Sequence, residues 1–307
     1  MKRDFTRLLD ITGEECIYLL DRAAFLKSAR ETKGEYKPLK GRTLGMIFEK
    51  ASTRTRISFE VGMKELGGDA IFLSRSEMQM GRGEPVRDTA RVLSRYLHAI
   101  MIRTYSQETV EELARWSAIP VINGLSDLFH PCQILADVLT MREYKGRIEG
   151  LKVAYIGDGN NVANSWIEAA ILLGFSLAVA TPAGYGPHEE LARKGKELGV
   201  VSLYTDPFGA AADADVVNTD VWVSMGQEKE QEERKKAFAA FRVDDELLKR
   251  TKKDVMVMHC LPAYRGQEIT EGVVERFQET IFTEAENRLY VQQALLEWLI
   301  GERSVNE

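Results

Sequence analysis

The sequence predicts an α/β protein of two domains, each a doubly wound parallel sheet with helices on both faces. Three observations carry this. Short apolar runs alternate with amphipathic helical stretches along almost the whole chain. The alternation stops once, at the polar link Lys145-Gly146-Arg147-Ile148-Glu149-Gly150, and then begins again. The segments richest in hydroxyl, guanidinium, imidazole and thiol groups also fall just after apolar runs, where an open parallel sheet has its ligand edge. A chain of 307 residues is long enough for two domains of ordinary size. The boundary is expected near residue 148, dividing residues 1–147 from 148–307.

Thr12-Gly13-Glu14-Glu15 has the form of a capping box, and Ile17, Leu20, Ala24 and Leu26 follow at helical spacing, so a helix is expected over 13–33. A strand over 43–48, a helix over 53–66, a stop at Gly67-Gly68 and a strand over 69–73 come next. Residues 74–85 are expected to be irregular, in a loop longer than a tight connection needs, and such loops are often functional. A helix over 87–97, a strand over 98–103, a helix over 107–116, a strand over 120–123 and a helix over 131–144 complete the first half. The second half is expected to hold strands at 152–156, 177–180, 201–204, 216–219 and 255–259. Helices at 164–173, 188–198 and 244–250 lie between them. The last helix, about 284–301, carries Leu289, Gln293, Leu296 and Ile300 at three- and four-residue steps, and is expected to pack back on the first domain.

Composition narrows the class. An apolar fraction of 44% and a charged fraction of 29% are those of a globular protein. No apolar run reaches membrane-spanning length, and Met1-Lys2-Arg3-Asp4-Phe5 lacks the apolar core of a signal peptide, so a cytoplasmic protein without a membrane partner is expected. Cys16, Cys132 and Cys260 are far apart and have no spacing suited to zinc, which argues against a disulfide framework or a structural metal. A net charge of −6 argues against a nucleic-acid partner, and any bound anion must be held by local arginines.

Five stretches carry chemistry. Ser52-Thr53-Arg54-Thr55-Arg56 follows the 43–48 strand and opens a helix. Hydroxyls, first-turn N–H groups and a guanidinium fork together make an anion site, most naturally for phosphate. A second arginine, Arg103, ends the 98–103 strand. His130-Pro131-Cys132-Gln133 puts an imidazole just before a helix that begins with proline, at the same sheet edge. Gly157-Asp158-Gly159-Asn160-Asn161-Val162 invites comparison with a dinucleotide fingerprint. It holds Val162 in place of the third glycine, and no acid closes the following strand, so Asn161 is taken instead as a polar hook for a small substrate. Asp220-Val221-Trp222-Val223-Ser224-Met225-Gly226 and His259-Cys260-Leu261-Pro262-Ala263 both lie at strand ends. His98 and His188 have no comparable setting and are expected to be structural.

Ser52 to Arg56 resembles the carbamoyl-phosphate signature of the aspartate and ornithine transcarbamylases. The Ser224-Met225-Gly226 loop and the His-Cys-Leu-Pro stretch resemble the ornithine branch of that family, and the likeness runs through nearly the whole chain. The resemblance implies transfer of the carbamoyl group of carbamoyl phosphate to L-ornithine, giving citrulline and phosphate. It implies that Ser52, Thr53, Arg54, Thr55, Gln79, Arg103, His130, Gln133, Cys260, Leu261 and Arg288 serve carbamoyl phosphate. By the same likeness Asn161, Asp220, Ser224 and Met225 serve ornithine. Arg103, His130, Asp220 and Cys260 are the expected catalytic groups, with Asp220 and Cys260 both open as acceptors of the amine proton. No metal or organic cofactor is expected, since phosphate is already a good leaving group. The family forms trimers, so a homotrimer or a multiple of trimers is expected, with Gln79 reaching the neighbour's site. Two other readings stay open here: a transcarbamylase for putrescine or a modified ornithine, and a silent regulatory paralogue, whose usual mark would be a broken anion motif.

Overall fold

The computed structural model describes residues 2–30, 36–223 and 230–301. It divides into two compact units, Met1–Ala136 with Asn287–Glu307, and Asp137–Glu286. Each is built on its own parallel sheet.

In the first unit, helix α1 (Gly13–Ser28) starts at the expected capping box. The Thr12 hydroxyl accepts from Glu15 N, and the Glu15 carboxylate accepts from Thr12 N. It stops at Ser28, short of the expected end, because its core-facing stripe of Cys16, Leu19, Leu20, Ala23 and Leu26 is then exhausted. There follow β1 (Thr43–Phe48), α2 (Thr53–Glu65), β2 (Asp69–Ser74), α3 (Val86–Leu93), β3 (Ala99–Arg103), α4 (Gln107–Trp116), β4 (Val121–Leu125) and the start of α5 (Pro131–Lys145), whose remainder from Asp137 belongs to the second unit. The strands pair in the order β2-β1-β3-β4, all parallel. Ile47, Ile100 and Ile102 pack with Val110 and Leu113 of α4 in one core cluster. Each aliphatic side chain buried in this way contributes roughly 1.5–3 kcal/mol. Within the stretch expected to be irregular, Gln79–Arg82 forms a single 3₁₀ turn.

The second unit runs β5 (Lys152–Ile156), α6 (Asn161–Leu173), β6 (Ser176–Ala180), α7 (Glu189–Glu197), β7 (Val201–Tyr204), α8 (Pro207–Ala211), β8 (Val216–Thr219), α9 (Gln231–Phe238), α10 (Asp245–Leu248), β9 (Met256–His259), α11 (Glu271–Arg276) and into α12 (Gln278–Ile300). Its strand order is β7-β6-β5-β8-β9, again parallel. Ala154, Val217 and Val257 cluster with Phe238, Leu247 and Val273. Helix α6 begins at Asn161, earlier than expected, because Asn160 caps it. Helix α12 begins at Gln278, also earlier, where the Thr280 hydroxyl donates to Val257 O and Phe277 O; that tertiary tie is invisible in local propensity. Helix α10 is a single turn, and α8, α9 and α11 were not expected.

The last part of α12 belongs to the first unit, as its apolar steps predict. Lys27 Nζ donates to Asn287 Oδ1 at 2.8 Å, Arg22 pairs with Glu297 at 2.8 Å, and Gln293 Nε2 donates to Glu65 at 2.7 Å. Among the described residues no helix is long and apolar enough to cross a membrane.

In both sheets the strand order reverses once, between β1 and β3 and between β5 and β8. At such switch points the connections leave to opposite faces, and a crevice opens at the carboxyl ends of the strands.

Candidate active site

At the switch point of the first sheet, β1 delivers the start of α2. Ser52 is extended and its hydroxyl accepts from Thr55 N at 3.2 Å, which makes it the N-cap. Thr53 and Arg54 therefore form the first turn, at the positive end of the helix dipole. Arg103 ends β3 and is 6% exposed; its Nη1 donates to Thr55 Oγ1 at 3.5 Å. Arg288, from the returning part of α12, donates from Nη2 to the same oxygen at 2.7 Å. Thr55 is thus yoked to two arginines. His130 stands immediately before α5, and its carbonyl accepts from Gln133 N and Ile134 N. Burial first, then Arg288, Arg103 and Arg54, drive the His130 pKa well below its ordinary value. The imidazole is therefore neutral and can donate a hydrogen bond without adding a further cation. Gln133 is buried one turn into α5.

Two nearby residues do other work. Arg56 pairs with Glu60 at 2.9 Å and lies 4.0 Å from the Phe72 ring, so it belongs to the helix surface. Lys50 is buried, paired with Asp127 and stacked on Tyr105. Gln79 is exposed in the 3₁₀ turn.

At the switch point of the second sheet, Asp220 follows β8 and Cys260 follows β9. Cys260 Sγ donates to Asp220 Oδ1 at 3.0 Å, and Asn160 Nδ2 donates to Asp220 Oδ2 at 2.7 Å, so both carboxylate oxygens are engaged. Burial, then the charge of Asp220 and the hydrogen bond to it, push the Cys260 thiol well above its ordinary pKa, with smaller contributions from Glu284 and Asp137. It is a thiol, not a thiolate. His259 is fully buried: Nδ1 accepts from Leu261 N at 2.9 Å, so the proton sits on Nε2, facing Glu268 at 3.0 Å. Leu261 has φ +53°, a strained conformation for a branched side chain, and its N–H bond to His259 helps to hold it. Asn161 is the first residue of α6 and half-buried. Ser224 and Met225 lie outside the described residues.

Asp220, His259 and Cys260 place three possible metal-ligand atoms within 4.8 Å of one another. Both nitrogens of His259 are already engaged, so the arrangement suits proton handling better than metal binding. His98 is structural, as expected, since its Nδ1 accepts from Thr43 N; His188 is exposed just before α7, where its backbone N donates to Asn164 Oδ1.

Asn160, Asp158 and Arg234 escaped the sequence reading. Asn160 was legible as an N-cap, since asparagine after a strand and before a helix is a favoured cap. Arg234 was hidden in a charged run, although its four-residue spacing to Phe238 marks a buried helix face.

Fold and site together define a group transferase, with an anion-binding α/β unit and a second unit bearing a carboxylate–thiol pair that can hold and deprotonate a nucleophile. The chain belongs to the aspartate/ornithine carbamoyltransferase family. Residues 3–143 match its carbamoyl-P binding domain, and residues 149–299 its Asp/Orn binding domain. The ornithine carbamoyltransferase of Syntrophotalea carbinolica is 53% identical over 302 residues, 98% of this chain and 100% of that one. Among solved structures, the ornithine carbamoyltransferase from Pyrococcus furiosus superposes with a TM-score of 0.93 at 48% identity, over 98% of each chain. The anabolic ornithine carbamoyltransferase from Campylobacter jejuni gives 0.91 at 46%, over 97% of this chain and 99% of that one.

Proposed function

We propose that this chain transfers the carbamoyl group of carbamoyl phosphate to the δ-amine of L-ornithine, forming L-citrulline and phosphate in arginine metabolism. The observation that carries the choice of amine is the Asp220–Cys260 pair. A buried carboxylate beside a protonated thiol suits a basic side chain and opposes the second carboxylate of aspartate. Residues 1–147 serve as the carbamoyl-phosphate domain and 148–307 as the ornithine domain, apart from the returning helix.

Ser52, Thr53, Arg54 and Arg288 bind the phosphate. Arg103, Thr55 and the neutral His130 polarise the carbamoyl carbonyl, and Gln133, Cys260 and the Leu261 carbonyl hold the carbamoyl amide. Asn161, Asp220, Ser224 and Met225 bind the amino-acid end and the amine. The δ-nitrogen attacks the carbamoyl carbon, the C–N bond forms, and the negative charge collects on the oxygen faced by Arg103 and His130. Collapse of that tetrahedral intermediate breaks the carbon–oxygen bond to phosphate, which departs with its electron pair and takes up the proton that the attacking nitrogen gives up, leaving as hydrogen phosphate. Donors aimed at such an oxyanion are commonly worth ~3–4 kcal/mol each.

An amine of pKa ~10.4 must first lose its proton, which costs about 4.6 kcal/mol at pH 7. Asp220 and Cys260, joined by a 3.0 Å hydrogen bond, are together the groups that hold the amine and take up its proton. Asp220→Asn is expected to lower kcat for citrulline by at least about 100-fold while leaving the melting shift caused by inorganic phosphate unchanged. Wild-type turnover in that variant would overturn the ornithine-side reading.

We also assign a homotrimer in which Gln79 completes a neighbour's site. The exposed position of Gln79, and the exposed Ile57 on α2 and Ile71 on β2, support that assignment. A cytoplasmic location is part of the same reading and is supported by three free thiols.

A further inference from the structure

The Gly157–Asn160 turn resembles a dinucleotide loop only in its glycines, and those answer to a positive φ at Gly157 and to crowding of the backbone at Gly159. Gly157 has φ +146°, and a Cβ there would sit 3.5 Å from Thr219 Oγ1 and 3.7 Å from Asp220 O. At Gly159 a Cβ would lie 2.2 Å from the carbonyl carbon of Gly186, so no side chain fits. Gly159 N instead donates to Tyr185 O at 2.9 Å. The turn is pressed between the end of β8 and residues 185–187.

Both polar residues of the turn reach the segment that leaves β8. Asn160 Oδ1 accepts from Val162 N at 2.9 Å, Ala163 N at 3.3 Å and the Tyr155 hydroxyl at 3.1 Å. These bonds fix the orientation of the amide and direct Nδ2 at Asp220 Oδ2. Asp158 pairs with Arg234 of α9, and both side chains are buried. Arg234 Nε in turn donates to Trp222 O at 2.6 Å, and its guanidinium lies 4.9 Å from the Tyr185 ring centre and 5.3 Å from that of Phe238. An arginine held by a carboxylate, a carbonyl and two ring faces is fixed in place, and loss of one partner would strand its charge.

We propose that the Gly157–Asn160 turn is a positioning clamp for Asp220, gripping its carboxylate through Asn160 and the backbone two residues further on through Asp158 and Arg234. This rests on the reading of Asp220 as the group that faces the ornithine amine. Asn160 and Arg234 touch no reacting atom and act through Asp220. The titratable and charged groups around Asp220 are His259 at the end of β9 and Cys260 after it, Tyr155 on β5 and Asp158 in the turn with its partner Arg234, while Glu284 of α12 and Asp137 of α5 act on Cys260. Asn160 adds an uncharged donor to this acidic surrounding.

Asn160→Asp separates clamping from capping. Aspartate caps a helix as well as asparagine does, but it withdraws the donor and sets a second carboxylate against Asp220. Citrulline formation is expected to fall about 10- to 100-fold in kcat, with KM for carbamoyl phosphate unchanged. The acid limb of the kcat–pH profile should move up by about one unit or more, since two carboxylates at hydrogen-bonding range share a proton. Arg234→Met is expected to raise KM for ornithine about tenfold, and Arg234→Lys to recover part of that loss. If Asn160→Asp does not fold, Asn160→Ser, which also caps, is read for kcat in the same way.

Wild-type kcat and pH profile in the Asn160 variant, with wild-type ornithine KM in Arg234→Met, would overturn the clamp. If Asp220→Asn is inactive alongside those results, the clamp alone fails. If Asp220→Asn also turns over normally, the ornithine-side reading fails with it.

Discussion

Replacing Arg288 by methionine asks whether the first unit holds its arginines together for the sake of an anion. Arg288 Nη2 and Arg103 Nη1 stand 2.7 and 3.5 Å from Thr55 Oγ1, so the two nitrogens are no more than about 6.2 Å apart. At an effective dielectric constant of ~20, unit charges at that separation repel by about 2.7 kcal/mol, and by about 2 kcal/mol once each charge is spread over its guanidinium. The variant loses the hydrogen bond to Thr55, worth about 1–1.5 kcal/mol, and methionine refills most of the space of the aliphatic stem. The unliganded protein should therefore be as stable as wild type, or more stable by about 1 kcal/mol. Anion binding moves the other way. A charge-assisted bond to phosphate is worth ~1.5–3 kcal/mol, so KM for carbamoyl phosphate should rise about 10- to 100-fold. Melting curves with and without inorganic phosphate, together with citrulline kinetics at saturating ornithine, read both effects. The unliganded melting temperature should hold or rise while the phosphate-induced shift shrinks. A melting temperature several degrees lower with an undiminished phosphate shift would refute the reasoning, because Arg288 would then be a structural strut.

Other consequences are as direct. Because burial and Asp220 keep the Cys260 thiol protonated, its labelling by iodoacetamide should climb about tenfold per pH unit up to pH ~9; a plateau at lower pH would mean a thiolate. His130 is held neutral, so its folded pKa lies below the ~6.5 of an unfolded chain and the unfolded state takes up the proton first. Stability should then fall as pH drops below about 6.5, and urea midpoints at pH 5.5 and 7.5 should differ less in His130→Asn than in wild type. If Gln79 serves a neighbouring protomer, Gln79→Ala and Arg54→Ala subunits, each nearly inactive, should regain activity when mixed and reassembled. Failure to do so in hybrids shown by mass to contain both chains would place Gln79 outside any shared site.

The parts of this molecule most legible in its sequence are those with strong local chemistry. Apolar β1, β3, β5 and β8 announced the parallel sheets. The Thr12 box announced α1, and the steps from Leu289 to Ile300 announced the return of α12 to the first unit. The cluster proposed to bind the anion was legible as a cluster because one turn of α2 carries Thr53, Arg54 and Thr55, with Arg103 and His130 at neighbouring strand ends. What escaped depends on contacts distant in the chain. The early start of α12 rests on Thr280 reaching Val257. Arg234 looks like one more surface charge until Asp158 and the Trp222 carbonyl are brought to it. The glycines at 157 and 159 imitate a nucleotide loop because a positive φ at Gly157 and backbone crowding at Gly159 each call for a residue without a side chain.

The measurement that bears most directly on the central claim is citrulline-type product formation from carbamoyl phosphate with L-ornithine, putrescine, L-aspartate and N-acetylornithine in parallel. The Asp220–Cys260 arrangement and the proposed hook for the α-carboxylate at Asn161 predict turnover with L-ornithine and none with putrescine, which lacks that carboxylate, or with L-aspartate, whose side chain is acidic. Turnover with another amine would keep the anion site and contradict the account of the second unit, and no turnover with any of them would contradict the enzyme itself.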